Sequence, residues 1–147
     1  MRRALILLFL SSGLSFSRAE QPSSYVFDED VRALCAVRLV AFDLISMVGR
    51  SEGEVLLGRI LKREDKIRPL LEVYNRGTTE AKVYALAAFH YLAPQLFAQC
   101  KKDIVGKYNP TVRAQAGCLP HEGNLLEFII RIHHGEYDYY IRKYADG

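Results

Sequence analysis

The sequence predicts an all-α fold, a compact array of about five or six antiparallel helices with no sheet. Apolar residues recur mainly at the three- and four-residue spacing of amphipathic helices. Capping residues, glycines and prolines separate these segments into short helices joined by tight loops. Residues 111–116 are only a weak strand candidate, so we expect helices to pack on helices throughout.

The first predicted helix begins at Asp28 or Asp30, runs to about Val48 and is closed by Gly49. It is apolar around most of its circumference, which is typical of a helix at the centre of a bundle. Arg38 projects near the middle of this apolar face. A buried guanidinium is tolerated only when it is paired. Arg38 is therefore a candidate buried charge that either extends to an edge of the bundle or binds a carboxylate or several carbonyls.

The next helices are placed by their end signals. Ser51 and Glu54 form a capping box, in which Ser51 accepts from the amide three residues on and Glu54 reaches back. Pro69 is tolerated in the first turn of the following helix, which Gly77 can close. The last predicted helices cover about 80–92, after a cap at Thr78 or Thr79, about 94–104, and about 122–134. Between the last two, residues 106–117 are predicted to be irregular.

The alanine-rich stretch GTTEAKVYALAAF, residues 77–89, resembles the second helix of a HEAT-like hairpin, in which small residues let successive hairpins stack. The whole chain resembles small uncharacterised bacterial exported proteins that share a YALAAF-type helix and a later Gly-Cys. The matching positions here are residues 84–89 and Gly117-Cys118. This resemblance implies export and HEAT-like helical packing, and it implies no activity.

The first nineteen residues have the three parts of a secretory signal peptide. Arg2 and Arg3 give a positive start, and residues 4–10 form an unbroken apolar run. Small residues at positions 17 and 19 then precede a predicted cleavage site before Glu20. An uncleaved anchor helix is the alternative, but polar residues and a glycine interrupt the apolar run before it could cross a bilayer of about 30 Å. We therefore expect a periplasmic or secreted protein.

The mature chain is predicted to have a short leader at residues 20–27 and a single helical domain at residues 28–147. The full chain has 20 Lys+Arg and 17 Asp+Glu, and three of the basic residues lie in the signal segment. Subtracting those three leaves 17 against 17, so no charge excess indicates a nucleic-acid partner. No apolar run reaches the roughly 20 residues of a transmembrane helix, so we expect no membrane span in the mature chain.

Three cysteines in an exported chain predict one disulfide and one thiol. Cys100 and Cys118 flank the irregular stretch, and closing that loop would stabilise the fold by about 3 kcal/mol if chain entropy alone is counted. We predict that these two are bonded and that Cys35 is a buried thiol. No Cys-x2-Cys pair indicates zinc and no catalytic motif occurs, so we assign no metal, cofactor or catalytic residue.

The C-terminal end is the candidate interaction surface, because tyrosine is enriched where proteins recognise one another. The alternative is that these rings pack on the bundle as a last helical turn. Four tyrosines fall within eight residues there, namely Tyr137, Tyr139, Tyr140 and Tyr144.

These features favour an exported helical binding protein, an adaptor or inhibitor whose partner is another envelope protein. Two alternatives stay open. A small exported hydrolase acting on cell-wall polymer or lipid would need a cleft with a desolvated carboxylate or histidine. A periplasmic immunity protein would neutralise a toxin. The sequence does not indicate an oligomeric state.

The signal peptide gives a first testable prediction. Protein exported by a bacterial host should begin at Glu20, because the small residues before it suit a signal peptidase. Intact-mass measurement of the soluble exported protein checks this. Retention of the first nineteen residues in that fraction would contradict it.

Overall fold

The computed structural model describes residues 28–42, 49–107 and 109–147, so the predicted signal peptide and leader lie outside the described residues. The described chain is mostly helical, but the prediction of no sheet is wrong. It forms seven helices and one two-stranded antiparallel sheet. In chain order the elements are α1 Glu29–Ala36, α2 Glu52–Leu61, α3 Ile67–Arg76, α4 Thr79–Leu92, α5 Pro94–Ile104, β1 Thr111–Ala116, β2 Leu119–Asn124, α6 Leu125–His133 and α7 Asp138–Ala145.

The sheet is a hairpin whose strands β1 and β2 are joined by the two residues Gly117 and Cys118. Gly117 has a φ of 58°, a left-handed conformation that glycine adopts at little cost. A glycine first in a two-residue loop is a recognised hairpin pattern. The Gly-Cys pair is therefore the turn of a sheet.

The hairpin also shortens the last strong helix, which was predicted to begin at about residue 122. Residues 119–124 form β2, and α6 begins only at Leu125. Asn124 caps α6 by accepting a hydrogen bond from the Glu127 amide at 3.0 Å. The apolar face of α6 is buried, but the start of the helix is decided by the pairing of β2 with β1.

The predicted first helix is too long. α1 ends at Ala36, and residues 37–42, called the extended segment below, continue without helical structure. Residues 43–48, which the prediction also placed in this helix, lie outside the described residues. Arg38 lies in the extended segment with an exposed side chain, so of the two alternatives the buried, paired charge is wrong. A guanidinium in contact with water needs no buried partner.

The extended segment is held on one side by the sheet. Val40 forms a parallel bridge with Ala114 of β1. The Val40 amide donates to the Arg113 carbonyl at 2.8 Å, and the Val40 carbonyl accepts from the Gln115 amide at 2.9 Å. Both polar groups of this buried residue are therefore satisfied, and β1 has partners on both edges.

Side-chain hydroxyls hold the other side of the extended segment. The Tyr84 hydroxyl of α4 accepts from the Ala41 amide at 2.8 Å and donates to the Ala41 carbonyl at 3.0 Å. Ser51 Oγ also donates to the Ala41 carbonyl, at 2.7 Å. Ser51 is in addition the predicted cap of α2, because it accepts from the Glu54 amide at 3.0 Å. One serine thus begins α2 and fixes the segment beside it.

α4, not the first helix, is the centre of the fold. It contacts the other helices and β1, and its residues 83–89 are all buried. Gly53 lets α2 approach it, since a Cβ at this position would lie 2.6 Å from the Tyr84 ring. At its start, Glu80 accepts from the Arg113 amide of β1 at 3.2 Å. In the part of the chain that the structure describes, no helix has the length and apolarity needed to cross a membrane.

We predict that Tyr84→Phe destabilises the protein by about 1–3 kcal/mol. The ring would still fill the core, but the buried Ala41 amide would lose its hydrogen-bond acceptor. Urea unfolding measures the effect as a lower midpoint at unchanged slope. The matched control is Tyr139→Phe, which removes the same atom from an exposed ring. Equal midpoints for the two variants would contradict the role given to Tyr84.

The same variant should also change the response to alkali. Burial raises the pKa of Tyr84 from the ordinary 10.0 to about 12. The folded protein therefore holds a proton that the unfolded chain releases, so this contribution to stability is complete below pH 10 and is lost as the pH rises toward 12. Over that range Tyr84→Phe should lose less stability than the natural chain.

Candidate functional site

The four tyrosines of the C-terminal end do not form one surface. Tyr137, in the turn before α7, and Tyr144, near its end, are buried, each with 6% of its surface exposed. Tyr140 is half-buried, and Tyr139 is 60% exposed. The alternative of packed rings is thus correct for Tyr137 and Tyr144, and the interaction surface stays a prediction that Tyr139 alone is exposed enough to serve.

Tyr144 anchors α7 on α2. Its hydroxyl donates to Glu54 Oε1 at 2.5 Å, and that carboxylate is only 1% exposed. Gly58 makes room for the ring, since a Cβ there would lie 3.0 Å from it. The Glu54 side chain thus bonds to Tyr144, a different role from the reach back to the helix start that the capping box predicts. This tyrosine belongs to the core.

Tyr137 and Tyr140 instead face a pocket of about 350 Å³, called the aromatic pocket below. It lies where the extended segment, β1, the start of β2, α6 and α7 meet. Its lining combines aromatic rings, small residues of β1 and one ion pair. The lining residues are Val40, Phe42, Ala114, Gln115, Ala116, His121, Phe128, Arg131, Glu136, Tyr137 and Tyr140.

Phe42 packs against three other aromatic rings. Its centroid lies 4.7 Å from that of Tyr137 and 5.6 Å from that of Tyr140. On its other side it lies 4.9 Å from Tyr84 in the core. Separations of this size are typical of favourable aromatic pairs. The pocket wall is therefore continuous with the centre of the fold.

Arg131 of α6 supplies the positive charge of the pocket. Its guanidinium carbon lies 5.4 Å from the Tyr137 ring centroid and 5.5 Å from that of Phe128. Contacts of this kind stabilise a cation through the electron-rich ring face. Its Nε donates to Glu136 Oε2 at 2.7 Å. The side chain is therefore held in place by two rings and one carboxylate.

Tyr137 brings an unused polar group to the pocket. Among the described residues its hydroxyl has no hydrogen-bond partner, and the oxygen is in contact with solvent, because no side-chain oxygen there is both buried and unpaired. Burial raises the pKa of this phenol to about 12, so it is protonated at neutral pH. The hydroxyl can therefore donate to, or accept from, a molecule in the pocket.

Sequence reasoning missed most of this site. Phe42 falls within the predicted first helix, and Phe128 falls within the last predicted helix, with nothing to connect the two. Arg131 and His121 carried no motif, because their neighbours in the pocket lie far away in the chain. The clustered tyrosines were the only available indication, and they found two of the lining residues.

The predicted disulfide is not formed. Cys100 and Cys118 are both free, as is the half-buried Cys35. Cys100 is buried on α5, whereas the hairpin carries Cys118 to its exposed turn. The loop between them was expected to be irregular and closable, but the strand β1 within it extends away and keeps the two thiols apart.

A second polar cluster connects α4 with the start of α7. His90 Nδ1 lies 2.9 Å from Asp138 Oδ1, and the His90 ring packs edge-on against Phe97 at 5.1 Å. No group of three or more histidine, cysteine or carboxylate side chains within residues 28–42, 49–107 and 109–147 is placed to hold a metal ion. The contact between His90 and Asp138 links α4 to the first residue of α7.

The unequal burial of the tyrosines gives a direct stability test. Tyr144→Ala should cost about 3 kcal/mol or more, because it opens a cavity and leaves Glu54 without its hydroxyl partner. Tyr139→Ala should change stability by less than about 0.5 kcal/mol, as expected for an exposed side chain. Thermal and urea unfolding of both variants measure the difference. A large loss for Tyr139→Ala would mean that α7 packs in another way.

Comparison with known proteins does not add a relative. The chain matches no protein-family model, and neither the curated proteins nor the solved structures gave a match. The function is therefore argued from the geometry of the chain itself.

Proposed function

We propose that the chain is an exported binding protein whose partner is another protein of the cell envelope, and that the partner contacts the outer face of α7. The observation that carries the proposal is the exposed ring of Tyr139, which is 60% accessible. An aromatic ring left in water on an otherwise well-packed helix is the kind of side chain that forms the centre of protein interfaces.

The Tyr139 ring is also held in position. It packs edge-on against Tyr140 at 5.4 Å, and Tyr140 in turn packs against Phe42. A ring that is ordered before binding loses little side-chain entropy when a partner covers it. This support favours recognition over an incidental exposed side chain.

Two exposed basic residues share the helix face with Tyr139. Arg142 and Lys143 follow it by three and four positions, the spacing of neighbours on a helix surface. Arginine and tyrosine together are the residue types most enriched at binding hot spots. A partner with an acidic and apolar patch would complement this face.

The hydrolase alternative has less support. Its candidate desolvated carboxylates would be Glu54 and Glu80, the two buried acidic residues in the described chain. Glu54 accepts from Tyr144, and Glu80 accepts from the Arg113 amide. Both carboxylates thus hold elements of the fold together. A periplasmic immunity protein would be a special case of the binding proposal, with a toxin as the partner.

Capture from envelope extract of the native host, with the mature chain as bait, tests the proposal. Tyr139→Ala should reduce recovery of the partner at least about tenfold, equivalent to roughly 1.4 kcal/mol of binding free energy. Replacing both Arg142 and Lys143 with Gln should weaken binding further and reduce its dependence on salt.

The matched control is Leu119→Ala. Leu119 is 75% exposed at the hairpin turn, so this substitution removes a comparable apolar side chain from a different surface. Recovery should be unchanged in this variant. Equal recovery with the natural chain and Tyr139→Ala, or equal loss in both variants, would contradict the proposed face.

A further inference from the structure

We propose that the aromatic pocket is a ligand site for a carboxylate that lies close to an aromatic ring in the same ligand, joined to it directly or through one or two carbon atoms. Two sources present this chemistry, a free small aromatic acid and the C-terminal aromatic residue of a polypeptide. The inference goes beyond the proposed function and does not depend on it, because it uses the pocket between α6, β1 and the extended segment and not the outer face of α7.

The size of the pocket suits such a ligand. Small-molecule sites commonly have volumes of about 300–1,000 Å³ and are lined mainly by apolar and aromatic groups with a few polar ones. The aromatic pocket has about 350 Å³, at the lower end of this range. A cavity of about 150 Å³ is enough for benzene. One ring and a short polar group can therefore be enclosed.

The guanidinium of Arg131 provides the anion-binding group. Glu136 occupies only its Nε edge, at 2.7 Å. The two terminal nitrogens have no hydrogen-bond partner among the described residues. Arginine binds carboxylates most strongly through two parallel hydrogen bonds, for which these nitrogens are spaced. The positive charge is also fixed in place by the Tyr137 and Phe128 rings.

Tyr137 provides a second polar group in the lining. The residue is more than nine-tenths buried and lines the pocket, and its hydroxyl has no protein partner in the part of the chain described. No side-chain oxygen there is both buried and unpaired, so this hydroxyl is in contact with solvent. A ligand oxygen can replace that water at little cost in hydrogen bonding.

The walls favour an aromatic body over an aliphatic one. Phe42 and Tyr140 line one part of the pocket, and His121 lies nearly parallel to Phe128 in another, with an interplanar angle of 9°. Rings of a ligand gain from offset or edge-on contact with such walls. A cationic ligand is disfavoured, because Arg131 already covers two ring faces and engages Glu136, the carboxylate among the described lining residues.

Three small probes test the charge requirement, namely benzoate, its neutral amide benzamide, and benzylammonium. Binding is measured by ligand-observed NMR or calorimetry at pH 7 with the full mature chain. Benzoate should bind at least tenfold more tightly than the other two. Equal binding of benzoate and benzamide, or tighter binding of benzylammonium, would overturn the proposal.

Substitutions in the pocket lining test where the ligand binds. Arg131→Gln should weaken benzoate binding at least tenfold, and Tyr137→Phe, which keeps the buried ring, about threefold. The control Arg32→Gln removes the same charge from an exposed position on α1 and should leave binding unchanged. Melting temperatures confirm that each variant is folded. Unchanged binding in both Tyr137→Phe and Arg131→Gln would overturn the site.

A short peptide that ends in phenylalanine separates the two sources. If a polypeptide C-terminus is the natural ligand, the free acid should bind at least tenfold more tightly than benzoate, and the C-terminal amide should lose that gain. If a free aromatic acid is the ligand, benzoate should bind more tightly than the peptide. Absence of binding by the peptide acid and by benzoate alike would overturn the proposal.

Discussion

The fold depends on how the backbone of a non-helical segment is hydrogen-bonded inside the core. Residues 37–42 carry buried peptide groups, and each buried group without a partner would cost about 1–3 kcal/mol. The Tyr84 hydroxyl satisfies both polar groups of Ala41, while β1 satisfies both of Val40. α4 therefore supplies the hydrogen-bond partners that a neighbouring strand would supply in a sheet. The position of the segment then fixes β1, and the hairpin follows from β1.

The same constraint explains why a chain with so much helical pattern contains a hairpin. β1 lies between β2 and Val40, and Glu80 of α4 accepts from the Arg113 amide. An isolated two-stranded hairpin is marginal in water. Here three different parts of the chain support it, which makes the sheet a component of the core.

The sequence predicts the features that depend on neighbouring residues. Ser51 and Thr78 cap their helices as their positions indicate. Gly77 ends α3, but with a φ of −75° and not in the left-handed conformation expected of a closing glycine. Prediction from the sequence fails where the contacting residues are far apart in the chain. Nothing local distinguishes residues 37–42 from a continuing apolar helix, because the groups that stabilise the extended backbone lie on α4 and β1. The disulfide prediction failed for the same reason, since spacing in sequence carries no information on how far β1 carries Cys118 from Cys100.

The candidate site is built from these less predictable parts. Phe42 lies at the end of the extended segment and touches both Tyr84 of the core and Tyr137 of the pocket. Sites that bind or react are often the places where local sequence preference and final structure disagree. The break that ends α1 early places Phe42 beside α6 and α7, and a continued helix would have carried it elsewhere. The aromatic pocket therefore forms because the helix is interrupted before Phe42.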